Sequence, residues 1–123
     1  MIKYEVTVYS NGAQEWRLNG RLHRVDGPAF IGEHGYEVWY LDGKCHRVGG
    51  PAVTGPNGHK EWHYKGNLHR EDGPAIIEAS GHKAWCLNGF EATEEEVMGH
   101  TIAVDGKEVK ISRESYLKLK EAL

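Results

Sequence analysis

A period of 23 residues constrains this chain more than any other feature. Trp16, Trp39, Trp62 and Trp85 fall on it, as do Gly12, Gly35, Gly58 and Gly81, and Gly20, Gly43, Gly66 and Gly89. His23, His46 and His69 keep the same spacing, followed by Arg24, Arg47 and Arg70. Pro28, Pro51 and Pro74 complete the register, and an alanine follows each. A fixed period of this length means that one supersecondary unit is stacked several times, each burying its apolar side against its neighbours. The fold is therefore expected to be mainly β, a repeat meander of antiparallel hairpins.

Each unit divides into two strands. Proline opens the first, where its missing N–H need not join a ladder, and the Trp segment forms the second. Turns through "HG", "NG" and "SG" separate them, dipeptides that suit positive φ. Eight strands are predicted near 3–9, 13–18, 28–33, 36–41, 51–55, 59–64, 74–79 and 82–87, with longer loops such as "DGKCHRVGG" between units. Strand alternation places the Trp series on one apolar face with Val6, Val8, Ala29, Ile31, Ala52 and Ala75. The opposite face is mixed and carries Tyr40 and His63.

The repeat stops after Gly89. Thr93 with Glu96 forms a capping-box pattern for a short helix, and "TIAVDGKEVKI" reads as a hairpin turning at Asp105-Gly106. Ser112 is expected to cap a last helix in which Tyr116, Leu119 and Leu123 recur at helical spacing. Residues 1–90 are thus read as four hairpins and 91–123 as a small α+β cap ending in a helix, packed with the array as one domain.

Composition narrows the function classes. A formal net charge of −3 over 123 residues argues against long duplex nucleic acid as a partner, since few cations are available for counterion release. The opening "MIKYEVTVYS" alternates and has no continuous apolar run, so neither a signal peptide nor a membrane span is expected, and the default location is cytoplasmic. Cys45 and Cys86 lack metal-type spacing and read as free thiols.

The unit W-x-x-[ND/K]-G-x-x-H-R-x-[DG]-G-P-A resembles the MORN repeat over residues 12–89. It looks more like a MORN-like variant repeat found in uncharacterised phage and other mobile-element proteins. The resemblance implies a stacked-hairpin scaffold, contacts with other proteins or with itself, and no catalytic residues. A phage origin would place it in the host cytoplasm, with an anti-defence role open to it.

The H-R-x-D cluster is the one candidate for chemistry. Read as a catalytic set, His23 would be a general base oriented by Asp26, with Arg24 stabilising an anion, as in a phosphodiesterase or nuclease. The cluster occurs three times, however, and the middle copy has Gly49 in place of the aspartate. No catalytic residue is therefore assigned. Equivalent histidines in a regular meander lie roughly 10 Å apart, two strands at ~4.8 Å each, so one metal ion cannot take all three; no metal or cofactor is expected. Read as structure, Arg24 pairs with Asp26 and Arg70 with Asp72 to hold corners closed by Pro28, Pro51 and Pro74. Read as a binding edge, His23, Arg24, His46, Arg47, His69 and Arg70 form a row that suits a protein partner or a phosphorylated small ligand such as a (cyclic) nucleotide. The expected function is a non-enzymatic adaptor or inhibitor acting through another protein, with ligand sequestration as the alternative. Exposed strand edges also allow a homodimer.

Overall fold

The structure, a computed structural model, describes residues 2–111 and 113–122. Its main sheet begins with β1 (Glu5–Val8) and β2 (Gln14–Leu18). After a short strand β3 (Arg21–Leu22), it continues through β4 (Phe30–Ile31) and β5 (Glu37–Val38). Two further short strands, β6 (Tyr40–Leu41) and β7 (Lys44–Cys45), precede β8 (Val53–Thr54) and β9 (Lys60–Glu61). The pattern recurs with β10 (His63–Tyr64), β11 (Asn67–Leu68), β12 (Ile76–Ile77), β13 (Lys83–Leu87) and β14 (Phe90–Ala92). All pairings are antiparallel, in the order β1-β2-β4-β5-β8-β9-β12-β13-β14, so the expected hairpin meander is the architecture.

Each unit holds a third strand that the sequence reading placed in a loop. The dipeptides Asn19-Gly20, Asp42-Gly43, Lys65-Gly66 and Asn88-Gly89 have positive φ at both residues, the signature of a type I′ turn. They fold β3, β7, β11 and β14 back onto the end of each Trp strand. The Trp backbone is the crossover. Trp39 N–H donates to the Ala52 carbonyl in the main sheet, while its own carbonyl accepts from His46 N–H in the side hairpin. Trp16 and Trp62 do the same with Ala29 and His23, and with Ala75 and His69. The second strand of the middle units is consequently split at its Trp.

Burial departs from the one-sided apolar face. Ala29, Ala52 and Ala75 are fully buried on the Trp side, but the buried valines Val38 and Val53 pair across β5 and β8 on the other. Val6 and Val8, assigned to the apolar face, are exposed. Both faces therefore carry core. On the Trp side the buried residues beside the indoles are alanines, with Ile31 and Ile77 half-buried, while Val38 and Val53 are buried on the reverse.

The C-terminal segment forms α1 (Glu94–Met98), the hairpin of β15 (His100–Val104) and β16 (Lys107–Ile111), and α2 (Arg113–Glu121). Thr93 Oγ1 accepts from Glu96 N–H at 3.1 Å and donates to its carboxylate at 3.2 Å, so Thr93 caps the helix and Glu96 binds back to the cap through its hydroxyl. Asp105-Gly106 supplies the positive-φ turn. Val97 is buried and α1 packs on β13, while Tyr116 of α2 stacks on His100. Leu119 is half-exposed, and the expected cap Ser112 and the apolar Leu123 lie outside the described residues.

Candidate functional site along the corner edge

The three H-R corners have one construction. The Nδ1 atom of His23 accepts from the backbone N–H of Asp42 at 2.9 Å, that of His46 from Lys65 at 2.8 Å, and that of His69 from Asn88 at 2.9 Å. Each histidine thus grips the type I′ turn of the following unit, 19 residues on. Beside it, Gly43, Gly66 and Gly89 N–H donate back to Leu22, Cys45 and Leu68 carbonyls, and Arg24, Arg47 and Arg70 N–H to those of Tyr40, His63 and Cys86. A backbone donor on Nδ1 fixes the neutral ring with its proton on Nε2. The His69 Nε2 atom also meets Glu71 at 3.3 Å.

The arginines fold inward. Arg24, Arg47 and Arg70 place their guanidinium carbons 3.8, 3.9 and 3.7 Å from the ring centroids of Trp16, Trp39 and Trp62. Their Nη1 atoms donate to the carbonyls of Pro28, Pro51 and Pro74 at 3.1–3.2 Å. Arg24 Nε meets Asp26 at 3.1 Å and Arg70 Nε meets Asp72 at 2.9 Å, but both aspartates are otherwise exposed. The glycine before each proline leaves room for the folded-in arginine: a Cβ at Gly27, Gly50 or Gly73 would lie 2.7, 3.0 or 2.5 Å from the guanidinium carbon and would push it off the indole. Among the described residues Arg47 of the middle corner has no acidic partner, and Gly49 adopts φ +86°, a backbone that Asp26 and Asp72 do not share. Trp85 has no such arginine, because Thr93 occupies that position.

Between successive corners run clefts with common walls. The first, about 240 Å³, lies between Arg24-Val25 and Arg47-Val48, with Trp39 and Leu41 in its lining. The second, about 660 Å³, extends from Arg47-Val48 to Glu71-Asp72 over Trp62 and Tyr64. A third, about 470 Å³, carries on from Glu71-Asp72 to Leu87, Val97 and α2. Neighbouring clefts share wall residues, Arg47 and Val48 between the first two and Glu71 and Asp72 between the last two, so they form a row, a segmented furrow, along the corner edge. Val25 and Val48 stand on its rim at 69 % and 77 % exposure. They occupy the variable position of H-R-x and were not singled out by sequence reasoning, although an apolar residue twice at an otherwise polar loop tip was the available signal. Charges of both signs line the furrow: Arg24 and Arg47 in the first cleft, and Glu71 and Asp72, beside Arg70 and Arg113, in the next two.

Tyr40 and His63 lie on the reverse face, away from this row in character. Burial first, and the neighbouring Cys45 second, push the Tyr40 hydroxyl above its ordinary value. His63 Nε2 bonds to Glu61 at 2.9 Å, and His59 Nε2 holds the other Glu61 oxygen at 2.7 Å. Burial works to raise the Glu61 carboxyl, but the two histidine hydrogen bonds and charges outweigh it and hold the group below the usual range. The His63 Nδ1 atom is buried without a protein partner. Among the described residues no group of three His, Cys, Asp or Glu side chains is arranged to hold a metal ion, and no helix is long and apolar enough to cross a membrane.

Fold and edge together define a β-hairpin repeat protein with a helix-ended cap. Comparison with protein families, curated proteins and solved structures finds no match to the chain.

Proposed function

We propose that this is a non-enzymatic, MORN-like repeat scaffold that binds another protein along the corner-edge furrow. The observation that carries the reading is the row of adjoining clefts in that furrow: aromatic residues in the first two, exposed Val25 and Val48 on the rim, and charged side chains of both signs along it. Such a surface offers a partner segment buried apolar anchors with polar flanks, the usual anatomy of a protein interface. The histidines support a scaffolding role rather than proton transfer. With Nδ1 accepting a backbone N–H, the remaining nitrogen carries a proton, so a neutral ring has no lone pair for a general base. A phage-encoded adaptor or inhibitor working in the host cytoplasm is the setting that the repeat's resemblance favours.

The test is capture from lysate of the cell that carries the protein, using the wild type and a Val25→Ser/Val48→Ser variant, followed by cross-link mapping. A partner cross-linked to the furrow of the wild type and lost from the variant is the expected result. A partner retained equally by both would overturn the reading.

A phosphorylated ligand is the second reading, favoured by one observation. The unpaired Arg47 faces a cleft whose ~660 Å³ falls within the roughly 300–1,000 Å³ of small-ligand sites. Glu71 and Asp72 in the same cleft oppose it. Thermal shift with nucleotides would show ligand-linked stabilisation that Arg47→Ala removes.

A further inference from the structure

We propose that the outer edge of β1 is the docking surface for a second copy of the chain, strand against strand about a two-fold axis. The two ends of the sheet are unlike. At one, β14 and α1 cover β13, with Val97 buried against it. At the other, no described residue pairs with the outer edge of β1, and all four of its residues are exposed.

Hydrogen-bond alternation shows what that edge offers. Tyr9 N–H donates to Ala13, and β1 pairs with β2 in unbroken register from Glu5↔Arg17 to Val8↔Gln14. Bonded residues alternate in an antiparallel ladder, so Thr7 and Glu5 face β2 while Val6 and Val8 direct their N–H and C=O groups outward. The repeat shows what this place normally receives. Val6 stands one period before Ala29, and the carbonyls of Ala29, Ala52 and Ala75 each accept a Trp N–H from the preceding strand. Val6 offers the same acceptor, and among the described residues no strand lies beside it. Of the usual protections of an open edge, β1 has a charge at Glu5 and a length of only four residues, but neither a proline nor a bulge interrupts Glu5–Val8.

Symmetry then narrows the occupant's register, and the valines decide it. A two-fold axis normal to the sheet sets each residue opposite one of like parity, and the outward-bonding valines must meet one another. Val6 or Val8 opposite its own counterpart also meets both conditions, but sets the other valine against Tyr4 or Ser10; Val6 opposite Val8 of the second copy, with Thr7 opposite its counterpart, is the register that brings all four valines together. Four valine side chains, now 45 % and 65 % exposed in each copy, cluster on the face that holds Trp16. Glu5 falls opposite Tyr9, and Lys3 opposite Asn11, so no like charges meet. Sliding by two residues on each chain would set Glu5 against Glu5, which disfavours that alternative. The pairing is isologous and closes at two copies.

The full chain is tested by sedimentation across concentration and by cysteine cross-linking. Wild type should pass from 13.8 kDa to twice that mass with rising concentration, and Val8→Lys should hold it monomeric. Oxidised Thr7→Cys should form a covalent dimer, because the directly opposite, non-bonded pair has Cα atoms about 4.5 Å apart, within disulfide reach. Val8→Cys should not, since its counterpart is offset by two residues and lies about 8 Å away. A wild type that stays monomeric, or a Val8→Cys that cross-links as readily as Thr7→Cys, would overturn the proposal. Furrow binding by the Val8→Lys monomer separates this result from the fate of the partner reading.

Discussion

Replacing Arg47 by alanine separates a structural corner from a merely presented cation. Two contacts are lost together: the guanidinium 3.9 Å from the Trp39 ring centroid, and the 3.1 Å bond to the Pro51 carbonyl. A hydrogen bond to a charged group contributes about 1.5–3 kcal/mol. A cation–π contact adds about 0.5–1 kcal/mol when exposed and ~2 when desolvated. Arg47 is half-buried, and the two terms share one side chain, so the expected loss is about 2–4 kcal/mol. For a domain of this size that lowers Tm by on the order of 10 °C. Arg24→Ala and Arg70→Ala also lose an ion pair, but Asp26 and Asp72 are 85 % and 86 % exposed, and such surface pairs contribute about 0–1 kcal/mol. The three variants should therefore agree within roughly 1 kcal/mol. Arg47→Lys keeps the charge but cannot lie flat on the indole and still reach the carbonyl, so it should recover less than half. Urea unfolding followed by Trp fluorescence measures all four variants. A loss below about 0.5 kcal/mol for Arg47→Ala, the range of ordinary surface substitutions, would refute the structural assignment.

Other outcomes follow from the same contacts. Gly49→Asp restores the missing acid but places a side chain at φ +86°; strain of about 1–2 kcal/mol outweighs a surface pair, so urea midpoints should fall rather than rise. Glu61 has its carboxyl lowered in the folded protein, so the unfolded chain binds more protons in acid and this stabilisation is lost as pH falls. The stability difference between wild type and Glu61→Gln should accordingly be full above the ordinary carboxylate value of 4.5 and shrink below it, as pH-dependent urea titrations will show. Cys45, its thiol pushed up to about 12 by burial and then by Glu61, should react with a thiol reagent at pH 8 at least tenfold more slowly in the folded than in the unfolded protein.

Much of the fold was legible because a 23-residue period aligns every strand and turn at once. Thr93 and Glu96 announced the helix cap through local spacing alone, as did Asp105-Gly106 the last hairpin. The third strand escaped because two residues, such as Lys44-Cys45, are too few to show alternation. The Asp42-Gly43 turn that creates it was read as part of a long loop. The burial of Val38 and Val53 was missed because a single apolar face was expected, whereas both faces of the sheet carry core. The corner's residues were found from sequence, but its main contact was not. His46 meets a backbone N–H 19 residues away, and no local pattern encodes a link between one unit's loop and the next unit's turn. The middle corner's unlike backbone is carried by one glycine whose φ only the structure reveals.

The central claim is that each corner histidine fastens one unit to the next through a single backbone N–H. Amide hydrogen exchange at Asp42, Lys65 and Asn88 tests it most directly, since these turn residues are exposed yet bonded to His23, His46 and His69. In His46→Ala, under conditions where the protein stays folded, Lys65 should lose protection while Asp42 and Asn88 keep theirs. A Lys65 amide that exchanges no faster in the variant, or that is unprotected in the wild type, would contradict the account.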